Sequence, residues 1–368
     1  MVGIIETLPN GVTVHQATDE ASPKCNIYCE FPWCPPDSSC FVYCRHRPDL
    51  GPNPWEYVAC EFGTWGKRVL GAGHACTMAG GRFYFRREVG AGRREIVRVD
   101  LVSGGQEVLP APQPALARGG LCLSCDERYL AYSYPVSFRP QRFAIEIADL
   151  HTGECTVLHE DPWTCNTHLQ FERGVGRQLL VQHNRGCVFS PEGKCQVLCG
   201  REGCTLFLLS IPDGRVTPLQ VGPPYTASCS GHETWLGTTG AVLLTLNLQE
   251  DYDHGKGPIC VVRAGAAARP VSAPREMNHI GTPDSGRLFC ADTYSPDEVI
   301  LGSVVTGEAV TVCPARTSYR RATPDTHPHA YVSPDLRWVV FNSDRSGVQQ
   351  VYAAAVPPDL VASLEGGA

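Results

Sequence analysis

Five histidines have the type and spacing needed to hold a metal ion and move a proton. They are His168, His232, His279 and the pair His327 and His329, the last two within Asp325-Thr326-His327-Pro328-His329-Ala330-Tyr331. Two histidines one residue apart share a face if the chain is extended there, because strand side chains alternate with period two. Neutral imidazole is the commonest protein metal ligand, so the pair offers two nitrogens to one divalent ion. His-x-His alone is a weak signal, and two surface histidines arise by chance at least as readily. Its weight comes from three earlier stretches of similar layout that also begin with a histidine.

The elements that must position these residues form a repeat. Helical periodicity is nearly absent. Short runs of Val, Ile, Leu, Phe and Tyr are punctuated by Gly, Pro and Asp, the pattern of an all-β chain. One unit recurs: an inner strand, a Pro/Ser-Asp or Gly turn, an apolar strand, a third strand and a Thr-Gly type hairpin into a fourth. The first unit holds Phe31–Asp37 and Cys40–Cys44, the second Met78–Phe85, and the third Leu121–Asp126 and Tyr129–Tyr132. The fourth holds Thr167–Phe171 and Leu179–His183, with a loop insertion around Ser190–Lys194. The fifth and sixth begin at Gly231–Trp235 and Asn278–Asp284, and the seventh is the His-x-His stretch with Gln349–Ala353 as its third strand.

Seven four-stranded units of roughly 45 to 50 residues match propeller blades. The expectation is an all-β, seven-bladed β-propeller, with residues 1–368 as one domain. The N-terminal strand, Asn10–His15 within about residues 1–20, is expected to complete the last blade, close the ring and remove its last sheet edge. A pair of two-sheet sandwiches is the alternative, and it leaves the repeat unexplained.

A length of 368 residues exceeds a usual single-core domain, in keeping with a repeat architecture. The formal net charge of −7 comes without a basic block, which argues against nucleic acid or an anionic membrane surface as the main partner. No window approaches the roughly 20 apolar residues of a membrane span. Met1–Thr7 lacks the basic and apolar regions of a signal peptide, so a cytoplasmic protein is expected. The 19 cysteines are then expected to be reduced and packed as small apolar residues. Cys122 and Cys125 form a CxxC with no second pair at zinc-ribbon spacing. There is no G-x-S-x-G, P-loop or H-E-x-x-H, so serine hydrolase, nucleotide and zincin readings have no motif.

In a propeller the first strand of each blade lines the central channel, so the five histidines, on the first strands of blades 4 to 7, should converge on one part of its mouth. Any one of them is more often a half-buried packing residue; five at equivalent positions are not easily explained that way. Gly231-His232-Glu233-x-Trp235, Asn278-His279 ahead of Thr-Pro-Asp284, and His327-Pro-His329 ahead of Ser-Pro-Asp335 together resemble oligogalacturonate lyase, the family 22 polysaccharide lyases. The likeness runs over most of the chain as blade pattern and is specific in those three segments. It implies a manganese-binding seven-bladed propeller that cleaves short pectic oligosaccharides by β-elimination. Position by position, it implies that His279, His327 and His329 bind Mn2+ or another divalent ion and that His232 abstracts the proton. The family's glutamine, three residues before the His-x-His pair, is replaced here by Pro324, which has no side-chain donor. Asp325, Gln170, His168 or water are the candidates to complete the sphere.

The chemistry suits these residue types. A hexuronate carries a weakly acidic C5–H beside its carboxylate and a leaving group at C4. A metal on the carboxylate acts as a Lewis acid, and a neutral histidine can take the C5 proton. Arg320 and Arg321 are candidates to stabilise the developing charge, with an exposed, solvated pair as the equal alternative. His168, Gln170 and Trp235 are candidates for contacting the anionic oligosaccharide substrate, although aromatic packing between blades is the more ordinary use of Trp235. Asp37, Asp126, Asp284 and Asp335 recur at first hairpin turns, where Asp favours the turn. Glu233 should face away from His232, its neighbour on a strand. Two other readings stay open: elimination or isomerisation on a different modified sugar or glycoside, and a non-catalytic propeller scaffold.

Overall fold

The structure, a computed structural model, describes residues 2–50, 55–90, 92–118, 120–201, 203–247, 257–273, 275–319 and 325–366. Seven antiparallel sheets follow one another along the chain as the blades of a seven-bladed β-propeller. Blades 1 to 3 span Lys24–Gly73, Ala75–Leu109 and Cys122–Asp161. Blades 4 to 6 span Gln170–Pro218, Ser228–Pro270 and Ile280–Pro314. Blade 7 joins Tyr331–Val332, Trp338–Ser343 and Gln350–Ala355 to two N-terminal strands, Thr13–Gln16 and Gly3–Thr7. Ring closure by the N-terminus is therefore as expected, with one strand more than expected. Thr13 pairs with Ala355 and Gln16 with Tyr352, so the edge of the last blade is covered by the start of the chain.

Alternating apolar residues on successive strands place the core between blades rather than in one centre. Phe341, Val339 and Tyr352 of blade 7 pack with Leu288, Val299 and Leu301 of blade 6. Trp235 and Leu244 of blade 5 pack with Leu206 and Leu208 of blade 4. The short helix Pro358–Leu364 seats its buried Leu364 on the seam between blades 6 and 7. The insertion in blade 4 is a small hairpin, Val188–Phe189 with Cys195–Val197. All nineteen cysteines are free, and of these Cys155 and Cys195 are exposed. Ser124 Oγ donates to Asp126 and Ser333 Oγ to Asp335, each at 2.6 Å, the expected turn use of those carboxylates.

The first unit departs from expectation. Its inner strand is Lys24–Asn26, not Phe31–Asp37. Pro32, Pro35 and Pro36 have no N–H to give a ladder, so the chain from 27 to 39 crosses the channel without regular pairing. That leaves Tyr28 and Glu30 half-buried there. No helix among the described residues is long and apolar enough to cross a membrane.

Candidate functional site

The five histidines gather at the start of the inner strands of blades 4 to 7. Only His232 lies inside a strand, Ser228–Trp235. His279 directly precedes Ile280–Gly281, His168 precedes Gln170–Phe171, and His327 and His329 precede Tyr331–Val332. One ring nitrogen from each of His279, His327 and His329 lies within 4.8 Å of the others. Ring centroids are 4.2 Å apart for His279 and His329, 5.3 Å for His279 and His327, and 5.4 Å within the pair.

Simple alternation does not produce this convergence. His329 has φ of +46° and His168 +42°, a left-handed backbone that is uncommon for a residue with a Cβ and found more often for His than for most. The lead-in segment is bent, and the bend is held from outside. Asn342 donates its backbone N–H to Pro328 O at 2.9 Å and its side-chain amide to His327 O at 3.0 Å. Asn26 of blade 1 donates its amide to His329 O at 2.7 Å. Strain of this kind persists only where surrounding contacts impose it.

Behind His279 stands Asp292, fully buried at the end of the second strand of blade 6. Its carboxylate lies 3.0 and 3.1 Å from His279 Nδ1 and accepts the backbone N–H of His279 at 3.1 Å and of His329 at 2.9 Å. Burial pushes this carboxyl up to about 6, with the neighbouring His329 and the backbone donors opposing. A carboxylate on Nδ1 leaves Nε2 as the ligating nitrogen, the usual support for a metal-binding imidazole. His327 has Asp325 at 3.2 Å from its Nε2, and its ring is tilted against that of Tyr319 with centroids 4.1 Å apart. Three imidazoles, one backed by a buried acid, form a donor set that fits a divalent transition ion. Burial and the charge of His279 lower His329 to about 4, so it offers a lone pair rather than a positive charge.

His232 stands beside this group, its ring 4.7 Å from that of His279. A bulge between Cys229 and Glu233 interrupts the ladder at this point. Burial, then the charges of His279 and His168, hold its pKa well below the usual imidazole value, so the ring is neutral. The hydroxyl of Tyr28 lies 2.9 Å from its Nδ1.

A second polar layer involves His168, Glu30, Glu233 and Arg173. His168 Nδ1 is 3.5 Å from Glu233 Oε1. Burial lowers the His168 pKa, but the hydrogen bond and charge of Glu233 outweigh it and the net shift is upward. Glu233 is thus the partner of His168 and not of its neighbour His232. Burial pushes Glu30 up to about 7, with the charge of Glu233 adding to it. Arg173 of blade 4 links three other blades: it donates to Thr282 O at 2.9 Å, to Thr234 Oγ1 at 3.2 Å and to the carbonyl of Glu30. Its guanidinium sits 5.1 Å from the Phe31 ring.

Two residues expected to contact substrate lie in the packing between blades. Trp235 is fully buried and its indole N–H donates to Gln170 O at 2.9 Å, so it packs between blades 4 and 5 and offers no open ring face to a sugar. Gln170 is also buried, and its amide donates to Glu233 O at 2.9 Å, fastening the same two blades. Arg320, Arg321 and Pro324 lie outside the described residues. Tyr28, Glu30, Asp292 and Tyr319 were not anticipated. Asp292 carried a signal, an acid closing the apolar run Leu288–Ala291 where a buried charge requires a partner. Tyr28 carried none, because neither its type nor its spacing set it apart from a packing aromatic.

No protein-family model and no curated protein matches the sequence. Solved structures do. The chain is similar to an oligogalacturonate lyase from Vibrio parahaemolyticus, at 17% identity and a TM-score of 0.71, over 98% of this chain and 97% of that one. It is equally similar to an oligogalacturonate lyase in complex with manganese, at 18% identity and a TM-score of 0.70, over 98% and 97% of the two chains. The β-propeller domain of the trilobed protease from Pyrococcus furiosus matches more distantly, at 12% identity and a TM-score of 0.51, over 86% and 91%. At these identities the shared property is the fold.

Proposed function

We propose that this protein is a divalent-metal-dependent lyase that cleaves uronate-containing oligosaccharides by β-elimination. The observation that carries the reading is the convergence of His279, His327 and His329 within 4.8 Å, with a neutral imidazole, His232, against their edge. The oligogalacturonate lyases that the chain resembles over nearly their whole length support it.

His279, His327 and His329 would hold the ion, Mn2+ or another divalent metal, and Asp292 would orient His279 toward it. The bound ion would supply Lewis acidity at the uronate carboxylate. His232 takes the C5 proton, which it can do at neutral pH because burial keeps it unprotonated. The C4–O bond then breaks and the leaving oxygen takes a proton from solvent water, leaving a 4,5-unsaturated sugar on one fragment and a free hydroxyl on the other. His168, held by Glu233 of the inner strand of blade 5, would meet a polar group of the substrate. Arg320 and Arg321 remain candidates for its carboxylate. The protein is proposed to act in the cytoplasm on a soluble anionic oligosaccharide.

A second reading keeps the site and changes the sugar. Pro324 stands where the resemblance leads one to expect a glutamine, so the ligand sphere of this chain differs and its substrate could be another glycoside with an acidic C–H. Incubation with digalacturonate and trigalacturonate, with and without manganese, separates the two. Metal-dependent formation of the unsaturated product supports the first, and metal binding without product supports the second.

A further inference from the structure

Tyr28 reaches the site from blade 1, on the far side of the ring closure from the histidines. Its position is fixed by neighbours rather than by a sheet. Trp33 donates its indole N–H to Tyr28 O at 2.6 Å. The Tyr28 ring stands edge-on to His279, with centroids 5.6 Å apart, and tilted against His329 at 5.0 Å. With its ring held by both, its hydroxyl ends 2.9 Å from His232 Nδ1.

A neutral imidazole has one protonated and one bare nitrogen, and the partner of one nitrogen decides the state of the other. We infer that Tyr28 is the positioning residue of His232: its oxygen accepts the Nδ1–H, which leaves Nε2 as the nitrogen without a proton, on a ring that the Asn278 side chain also holds. The choice of this tautomer rests on the lyase reading, in which Nε2 takes the C5 proton; the contact between Tyr28 and Nδ1 does not. The reverse arrangement, Tyr28 donating to Nδ1 and the proton on Nε2, would make His232 a donor and unfit as a base.

The test uses the full-length protein labelled with 15N-histidine, with His232→Ala identifying the His232 signals. The account predicts a neutral ring protonated on Nδ1 in the wild type, and loss of that single tautomer in Tyr28→Phe, which keeps the aromatic ring and its packing. A wild-type ring protonated on Nε2, or an unchanged tautomer in Tyr28→Phe, overturns the inference whatever the activity. On a substrate that the wild type cleaves, Tyr28→Phe should lower kcat by about 10- to 100-fold, the usual effect of losing an orienting partner. KM and metal content should stay at wild-type values. If His232→Ala itself retains full elimination activity, the assignment of the base fails and the tautomer result stands apart from it.

Discussion

The carboxylate of Asp292 lies 3.0 Å from Nδ1 of His279, and the same carboxylate accepts the backbone N–H of His329 at 2.9 Å. One buried acid therefore sets both the ring of a blade 6 histidine and the bent backbone of a blade 7 histidine. Asp292→Asn keeps the volume and removes the charge. It should weaken divalent-metal binding by about 10- to 100-fold, the usual cost of losing such a partner. Isothermal titration with manganese and with zinc reads this directly, and unchanged affinity would detach Asp292 from the metal.

Arg173 should matter to stability more than to chemistry. Its guanidinium fastens blade 4 to blades 1, 5 and 6, and burial lowers its pKa, with Asp284 opposing. Replacement by methionine leaves the carbonyls of Glu30 and Thr282 without that donor. The expected loss is about 2–4 kcal/mol, from the cost of unpaired buried acceptors. Thermal and urea unfolding measure it, and a variant as stable as the wild type would show that the blades do not depend on this link.

Glu30 predicts the direction of a pH effect. Its pKa rises from 4.5 to about 7 on folding, so between those values the native state binds more protons than the unfolded one. Stability must then fall as pH rises through that window. The upward shift of His168 acts in the same sense above the usual imidazole value of 6.5. Glu30→Gln should flatten the dependence and gain on the order of 2 kcal/mol at pH 8, after allowance for the partial exposure of the group. Urea unfolding at pH 5 and pH 8 tests it; an equal pH dependence in the variant would show that Glu30 is not the responsible group.

How far the sequence carries the account follows from these residues. The blades were legible because each repeats an apolar second strand after a Pro/Ser-Asp or Gly turn, as in Leu288–Ala291 and Val339–Phe341. The histidines were legible as a set because they recur at one place in the repeat. Their geometry was not. His-x-His was expected to converge by strand alternation, yet His329 is left-handed and the segment is held by Asn342 and Asn26, which lie far from it in sequence. Tyr28 escaped notice for a related reason: it sits in a proline-rich crossing with no period, and it becomes part of the site only when the ring closes.

Trp235 offers a direct comparison of packing with binding. Its indole is buried between blades and hydrogen-bonded to Gln170 O. Trp235→Phe removes that donor and part of the ring. It should cost about 1–3 kcal/mol of stability, as for a buried acceptor left unpaired, and leave KM unchanged. A raised KM with unchanged stability would restore the sugar-platform role.

The most direct measurement is absorbance at about 235 nm, where a conjugated product of C5 deprotonation and elimination absorbs, during incubation with digalacturonate. The wild type should give a rise that chelation abolishes and manganese restores. His232→Ala should retain metal and give no rise, while His279→Ala should lose both. Wild-type activity in His232→Ala, or elimination that persists in fully chelated protein, would contradict the account.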